Sequence, residues 1–164
     1  MKKVVQIMIL CLPVLGMAQE ETKDALAGNN EFKFNAGYTV AGIPEISYER
    51  ILSDDSSVGL SVAAVIDEDI DYNFLIIPYY RFYFGKKRNS GFFLEANGAA
   101  FTEDRDDRAD TELGMGLGLG IGGKFLTKNG WVGELIGGAG RNFLNADVIS
   151  EVYPRLGISI GKRF

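Results

Sequence analysis

The sequence has no histidine, and its single cysteine, Cys11, lies near the start. Without histidine the chain lacks the general base on which Ser–His and Asp–His dyads depend. Zinc sites built from histidine and cysteine are excluded for the same reason. Basic charge is also scarce: 17 Lys and Arg stand against 22 Asp and Glu, a net charge of −5. A nucleic-acid partner would need a basic stripe, and none is present. Beyond the first residues there is no run of the ~18 apolar side chains that a membrane helix needs. Amphipathic helical periodicity is missing too.

The apolar segment that does exist, residues 4–15, is too short to span a bilayer as a helix, which takes about 20 residues. Lys2 and Lys3 precede it, and Gly16 and Ala18 are small residues ahead of Gln19. Charged start, apolar stretch and small residues together predict a secretory leader over residues 1–18, cut before Gln19. A lipid anchor on Cys11 is the rival reading. Against it, Leu10 stands where a small residue is wanted, and Leu12 and Pro13 prolong the apolar stretch. With the leader removed, the chain is free of cysteine, so disulfide and thiol chemistry drop out. Residues 19–30 are polar and aperiodic and read as a lead-in.

From Glu31 to the end, apolar side chains recur every second residue. The alternation predicts strands over 31–40, 45–52, 57–66, 72–84, 91–101, 112–125 and 131–140, with a last strand within 151–164. Pro78, inside the fourth, predicts a local irregularity. Residues 53–56, 85–90 and 127–130 are tight turns, the last carrying Asn129-Gly130 for positive φ. Residues 67–71, 102–111 and 141–150 are longer or acidic loops, while the first connection is only Gly42-Ile43-Pro44. Eight strands of about ten residues, even in number and without helix, predict one domain over 31–164. Its fold class is all-β: an eight-stranded antiparallel up-and-down transmembrane β-barrel.

The chain's last residues alternate Leu156, Ile158 and Ile160 with Gly157, Ser159 and Gly161, and end on Phe164. Strand count, alternation, aromatic bands and this ending resemble the small outer-membrane barrels of Gram-negative bacteria, the OmpX-like proteins and the membrane domain of OmpA. The resemblance covers residues 31–164. It implies a place in the outer membrane, beside its lipid and lipopolysaccharide. It also implies that Leu156, Ile158, Ile160 and Phe164 are the signal read by the barrel-assembly machinery. Lys162 departs from the pattern, since the family often has an aromatic there.

If the apolar register faces lipid, the other register places Glu49, Arg81, Glu95, Asn97, Glu134 and Arg155 inside the barrel. Charges in so narrow a lumen must pair or stay hydrated. The residues therefore predict an ion-paired, mostly closed lumen and a non-enzymatic structural or surface-interaction role. The alternative is a narrow porin-like channel for ions or small solutes, lined by the same charges. A soluble barrel with an apolar cavity is a third reading, and it would turn the charged register outward. Gly114, Gly116, Gly118, Gly120 and Gly122 fall on the inward face and leave room for large neighbours. Trp131, with Tyr48, Tyr72, Phe84, Phe92 and Phe101, is expected at the membrane interfaces.

Two further patterns carry less. Gly118 to Gly123 spells GxGxxG, but alternation runs through it and no helix follows, so a dinucleotide site is not expected. Asp67, Glu68, Asp69, Asp104, Asp106, Asp107 and Asp110 offer oxygen ligands for Ca²⁺. The spacing lacks an EF-hand's glycine and distal glutamate, and Arg105 and Arg108 interrupt it, so these are read as solvated loops. No cofactor is expected, and the sequence names no partner for the loops.

Overall fold

The computed structural model describes residues 28–67, 70–104 and 111–164. The leader, most of the lead-in, and Glu68, Asp69, Asp106, Asp107 and Asp110 lie outside the described residues. Eight strands follow in chain order: β1 (Asn30–Asn35), β2 (Glu45–Ile51), β3 (Ser56–Ala64), β4 (Tyr72–Tyr83), β5 (Gly91–Asp104), β6 (Thr111–Leu126), β7 (Trp131–Asn142) and β8 (Val152–Arg163). Each pairs antiparallel with its sequence neighbour, and β8 returns to β1 to close the barrel.

Closure is completed by the chain's last residue. The Phe164 N–H donates to the Asn30 carbonyl at 2.9 Å, and the Asn30 N–H donates to the Phe164 carbonyl at 3.0 Å. A closed ladder leaves no strand edge unpaired.

The first strand corrects the sequence expectation. It ends at Asn35, and residues Ala36–Val40 form a short helix, α1. Asn35 caps it: its side chain accepts from the Tyr38 N–H at 3.1 Å, and its carbonyl accepts from Thr39 Oγ1 at 2.7 Å. Asn is a strong N-cap residue, and here that local preference overrides a weak three-residue alternation. Where β1 stops, side chains continue its ladder along β8. Asn35 donates to the Leu156 carbonyl at 3.1 Å and accepts from the Ile158 N–H at 3.2 Å. The Tyr38 hydroxyl accepts from the Leu156 N–H at 3.1 Å.

At Pro78 the β4–β5 ladder is interrupted, as expected, passing from Ile76–Ala100 to Tyr79–Asn97, but the register is kept. Pro78 stays in register opposite Leu60, and the shift in β4–β5 pairing falls between Tyr72 and Phe74. That bulge reverses the facing of Tyr72, whose ring packs edge-on to Phe101 at 5.2 Å. Phe101 itself is 1 % exposed. Both residues therefore leave the expected interfacial set and belong to the barrel interior. Trp131, Tyr48, Phe84 and Phe92 face outward. In the β6–β7 turn only Gly130 takes positive φ (77°), with its N–H donating to the Thr127 carbonyl at 3.0 Å.

The two faces of the wall are inverted relative to a water-soluble barrel. Outward stand Leu117, Leu119, Ile121, Leu135, Ile158 and Ile160, all exposed, while Glu, Lys, Arg and Asn fill the buried register. An apolar cluster near the loop end (Ala63, Leu75, Ile77, Ala99, Phe101, Tyr153) closes over that charge, sealed by Ile149 from the β7–β8 loop.

Glycine has two distinct uses in this wall. A Cβ on Gly138 would overlap the Leu119 carbonyl oxygen and lie 2.6 Å from Gly120 Cα. A Cβ on its neighbour Gly137 would meet nothing within 4 Å. Gly138→Ala is therefore expected to destabilise the barrel by about 1–3 kcal/mol, as overpacking does, and Gly137→Ala by about nothing. Equilibrium unfolding of the two variants checks this; equal effects would contradict the packing.

Candidate functional site: the charged lumen

Strand parity places Glu31, Lys33, Glu45, Glu49, Arg81, Glu95, Lys124, Glu134, Arg155 and Arg163 inside, and all ten are buried. They form one connected chain of ion pairs. At the turn end Arg163 Nη2 lies 2.6 Å from Glu31, whose other oxygen is 2.7 Å from Lys124 Nζ. Lys124 also reaches Glu49 at 2.6 Å. In the middle, Lys33 bridges Glu49 (2.6 Å) and Glu134 (2.8 Å). Arg81 contacts Glu49 (2.8 Å), Glu134 (2.7 Å) and Glu95 (2.8 Å). Arg155 then joins Glu95 (2.8 Å) to Glu45 (3.2 Å). Five cations thus meet five carboxylates, and the chain is formally neutral.

Glu49 is the most heavily engaged of these groups. One carboxylate oxygen accepts from Lys124, from Ser57 Oγ at 2.7 Å and from the Tyr83 hydroxyl at 2.7 Å. The other accepts from Lys33, from Arg81 and from the Tyr79 hydroxyl at 3.4 Å. Arg81 lies between two rings, its guanidinium carbon 4.4 Å from the centroids of both Tyr79 and Phe93. Lys124 sits 4.7 Å from the Tyr83 ring. Aromatic faces of this kind stabilise a cation that has left water. Buried charge is costly unless every lone pair and proton is matched, and here the matching is dense.

The structure brings Glu49, Arg81, Glu95, Glu134 and Arg155 into this chain. Asn97 joins it by donating to Glu95 at 3.2 Å, and it accepts from the Tyr153 hydroxyl at 2.7 Å. Sequence reasoning missed Glu31, Lys33, Glu45, Lys124 and Arg163. The signal was available, since each shares parity with an inward neighbour: Lys124 with the even-numbered glycines of β6, and Arg163 with Arg155. Leu156, Ile158 and Ile160 face outward, and Phe164 closes the ladder at the turn end. Trp131 stands outward at the same end, with Lys162 Nζ 5.4 Å from its ring.

Chemically the lumen is saturated. The acids and bases neutralise one another, which leaves none of the ten free to take or give a proton to a substrate. Among the described residues, no group of three or more acidic or cysteine side chains is arranged to hold a metal ion. Asp104 instead accepts from Asn73 and Thr111, each at 2.8 Å.

No protein-family model matches the chain, and no curated protein is similar to it. Among solved structures, the N-terminal β-barrel domain of OprF from Pseudomonas aeruginosa has the same course of chain. The match has a TM-score of 0.59 and covers 84 % of this chain and 98 % of that domain, at 16 % identity. Identity that low speaks for the fold alone. The chain has the closed, eight-stranded, up-and-down architecture of small outer-membrane β-barrel domains.

Proposed function

We propose that the protein is a non-enzymatic barrel of the outer membrane, closed along its axis, which serves as a membrane-anchored scaffold for its outward loops. The observation that carries this reading is the inverted wall: apolar side chains outside, and inside a neutral chain of ten buried ionic side chains under an apolar cap. A bilayer is the environment that matches such an exterior. Ions entering from the loop end meet first the Phe101–Tyr153 layer and then fixed charges already paired with one another.

On this reading the leader directs export, the chain ends lie on the periplasmic side, and the acidic loops face outward toward lipopolysaccharide. Leu156, Ile158, Ile160 and Phe164 serve the assembly machinery, and Trp131 marks the inner interface. The lack of histidine and the mutual neutralisation of the ten lumen charges support a role without catalysis.

Conductance across planar bilayers tests the closed lumen. The native barrel is expected to insert and remain silent, whereas Arg81→Gln, which removes the central cation, is expected to conduct. Steady channels from the native protein would overturn the closed reading in favour of a narrow pore.

A further inference from the structure

Most glycines of this barrel are explained by what lies beside them, but three in the wall of β6 and β7 are not. A Cβ on Gly114, Gly116, Gly118, Gly122, Gly138 or Gly140 would run into a ring or a neighbouring strand. At Gly123, Gly133 and Gly137, all on the outward register, it would meet nothing within 4 Å. Nothing inside the protein requires these positions to be bare. At Gly123 and Gly137, what a side chain would fill is a groove on the outer wall.

That groove is built of two contiguous hollows of about 470 and 460 Å³, which share Phe92, Gly122 and Gly123. Phe92 forms one side and Leu135, Leu156 and Ile158 the other. From Leu126 to Ile121 it follows six residues of β6, five steps or roughly 16 Å at ~3.3 Å per step.

The mouth of the groove is charged with one sign. Lys87 lines the lower hollow, and no carboxylate lines either one. Lys86 adjoins Lys87, and Lys128 lies in the next turn, because Gly91 at the start of β5 pairs with Lys124 near the end of β6. Lys86, Lys87 and Lys128 are exposed, and among the described residues none makes a salt bridge. Every other described lysine is engaged: Lys33 and Lys124 in the lumen, and Lys162 on the Asn129 carbonyl at 2.6 Å. Of the acids in the β2–β3 turn, Asp54 pairs with Arg88 at 3.3 Å, and Asp55 accepts from the Ser53 hydroxyl at 2.6 Å and keeps its charge; neither lines the groove. A third hollow, at the loop end, brings Arg141 and Glu151 together and has no such excess.

We propose that this groove is a binding site for an anionic phospholipid of the leaflet at the turn end, its acyl chain lying over Gly123 and Gly137 and its phosphate held by Lys87 with Lys86 and Lys128. The site rests on the membrane reading given above. It adds that one stretch of the wall selects a lipid by charge and shape, where the rest is merely wetted by hydrocarbon.

The chain's one tryptophan, Trp131, faces outward at the turn end of β7, one of the strands that line the groove, and serves as the reporter. The refolded protein is placed in phosphatidylcholine bilayers containing brominated phosphatidylglycerol or brominated phosphatidylcholine, and quenching of Trp131 is titrated. The native protein is expected to favour the anionic lipid about fivefold, the order set by one lysine at an anionic surface. Lys86→Gln/Lys87→Gln is expected to abolish the preference. Gly123→Leu/Gly137→Leu is expected to abolish it too, with every lysine still present. Equal quenching of the native protein by both lipids overturns the site and leaves the membrane reading standing. A preference that survives in the glycine variant also overturns it, reducing the effect to surface attraction. Absence of quenching by either lipid overturns the membrane reading, and the site with it. Heat-modified electrophoretic migration identifies a variant that has not folded; the lysine pair, confined to an exposed turn, then carries the test.

Discussion

Replacement of Arg81 by alanine is expected to lower the unfolding free energy of the barrel by about 3–5 kcal/mol, the cost of leaving a buried ionic partner unmatched. Arg81 is 1 % exposed and hydrogen-bonds three carboxylates, Glu49, Glu95 and Glu134. Its removal strands negative charge in a space walled by Tyr79 and Phe93, where no other described cation reaches all three. The network as a whole need not be a large net source of stability, because desolvating its ten members offsets much of their attraction. Deleting one member is a different matter, since the desolvation stays and the attraction goes. Denaturant titration of the detergent-refolded protein reads the loss. The double variant Arg81→Ala/Glu95→Gln is expected to recover part of it, because one stranded charge is removed. A loss below about 1 kcal/mol would mean that water hydrates the carboxylates freely, and the closed lumen would have to be abandoned.

Tyr153→Ala is expected to have an effect of the same order, about 3–5 kcal/mol, for an apolar reason. The Tyr153 ring is fully buried and lies across Gly116 and Gly118 of β6 and Gly140 of β7. A Cβ on Gly140 would overlap that ring. Three bare positions therefore exist to admit one side chain, and no neighbour can collapse into the space when it goes. Tyr153→Phe keeps the ring but removes the hydroxyl that donates to Asn97, and about 1 kcal/mol is expected there. If the two variants unfold alike, the hydrogen bond rather than the ring is what matters. If neither changes the transition, the slot is not packed.

Much of this was legible before any coordinates. Alternation marked all eight strands, because a period of two survives whatever the strand packs against. It also put Glu49, Arg81, Glu95, Asn97, Glu134 and Arg155 on the inward face. Where it failed, the causes were local and identifiable. Alternation continues on paper through Ala36, Tyr38 and Val40, yet the side chain of Asn35 ends the strand by capping α1. Tyr72 has outward parity, yet the bulge after it turns the ring inward. Phe101 was misplaced by composition alone, since an aromatic near a strand end suggests an interface, while its parity with Glu95 and Asn97 already pointed inside.

The sequence by itself determined the architecture and which residues share each face, because strand number and parity are properties of the chain read in one dimension. It also excluded histidine chemistry, which composition decides outright. Only the tertiary structure decided which inward charges meet. Glu31 and Arg163 stand at opposite ends of the barrel domain, and Lys33 and Glu134 lie on strands that never pair. Closure of β8 on β1 and the curvature of the wall bring them within hydrogen-bonding distance. The same holds for the outer groove: a glycine facing a ring and a glycine facing open space look identical in sequence, and only the packing around each separates them.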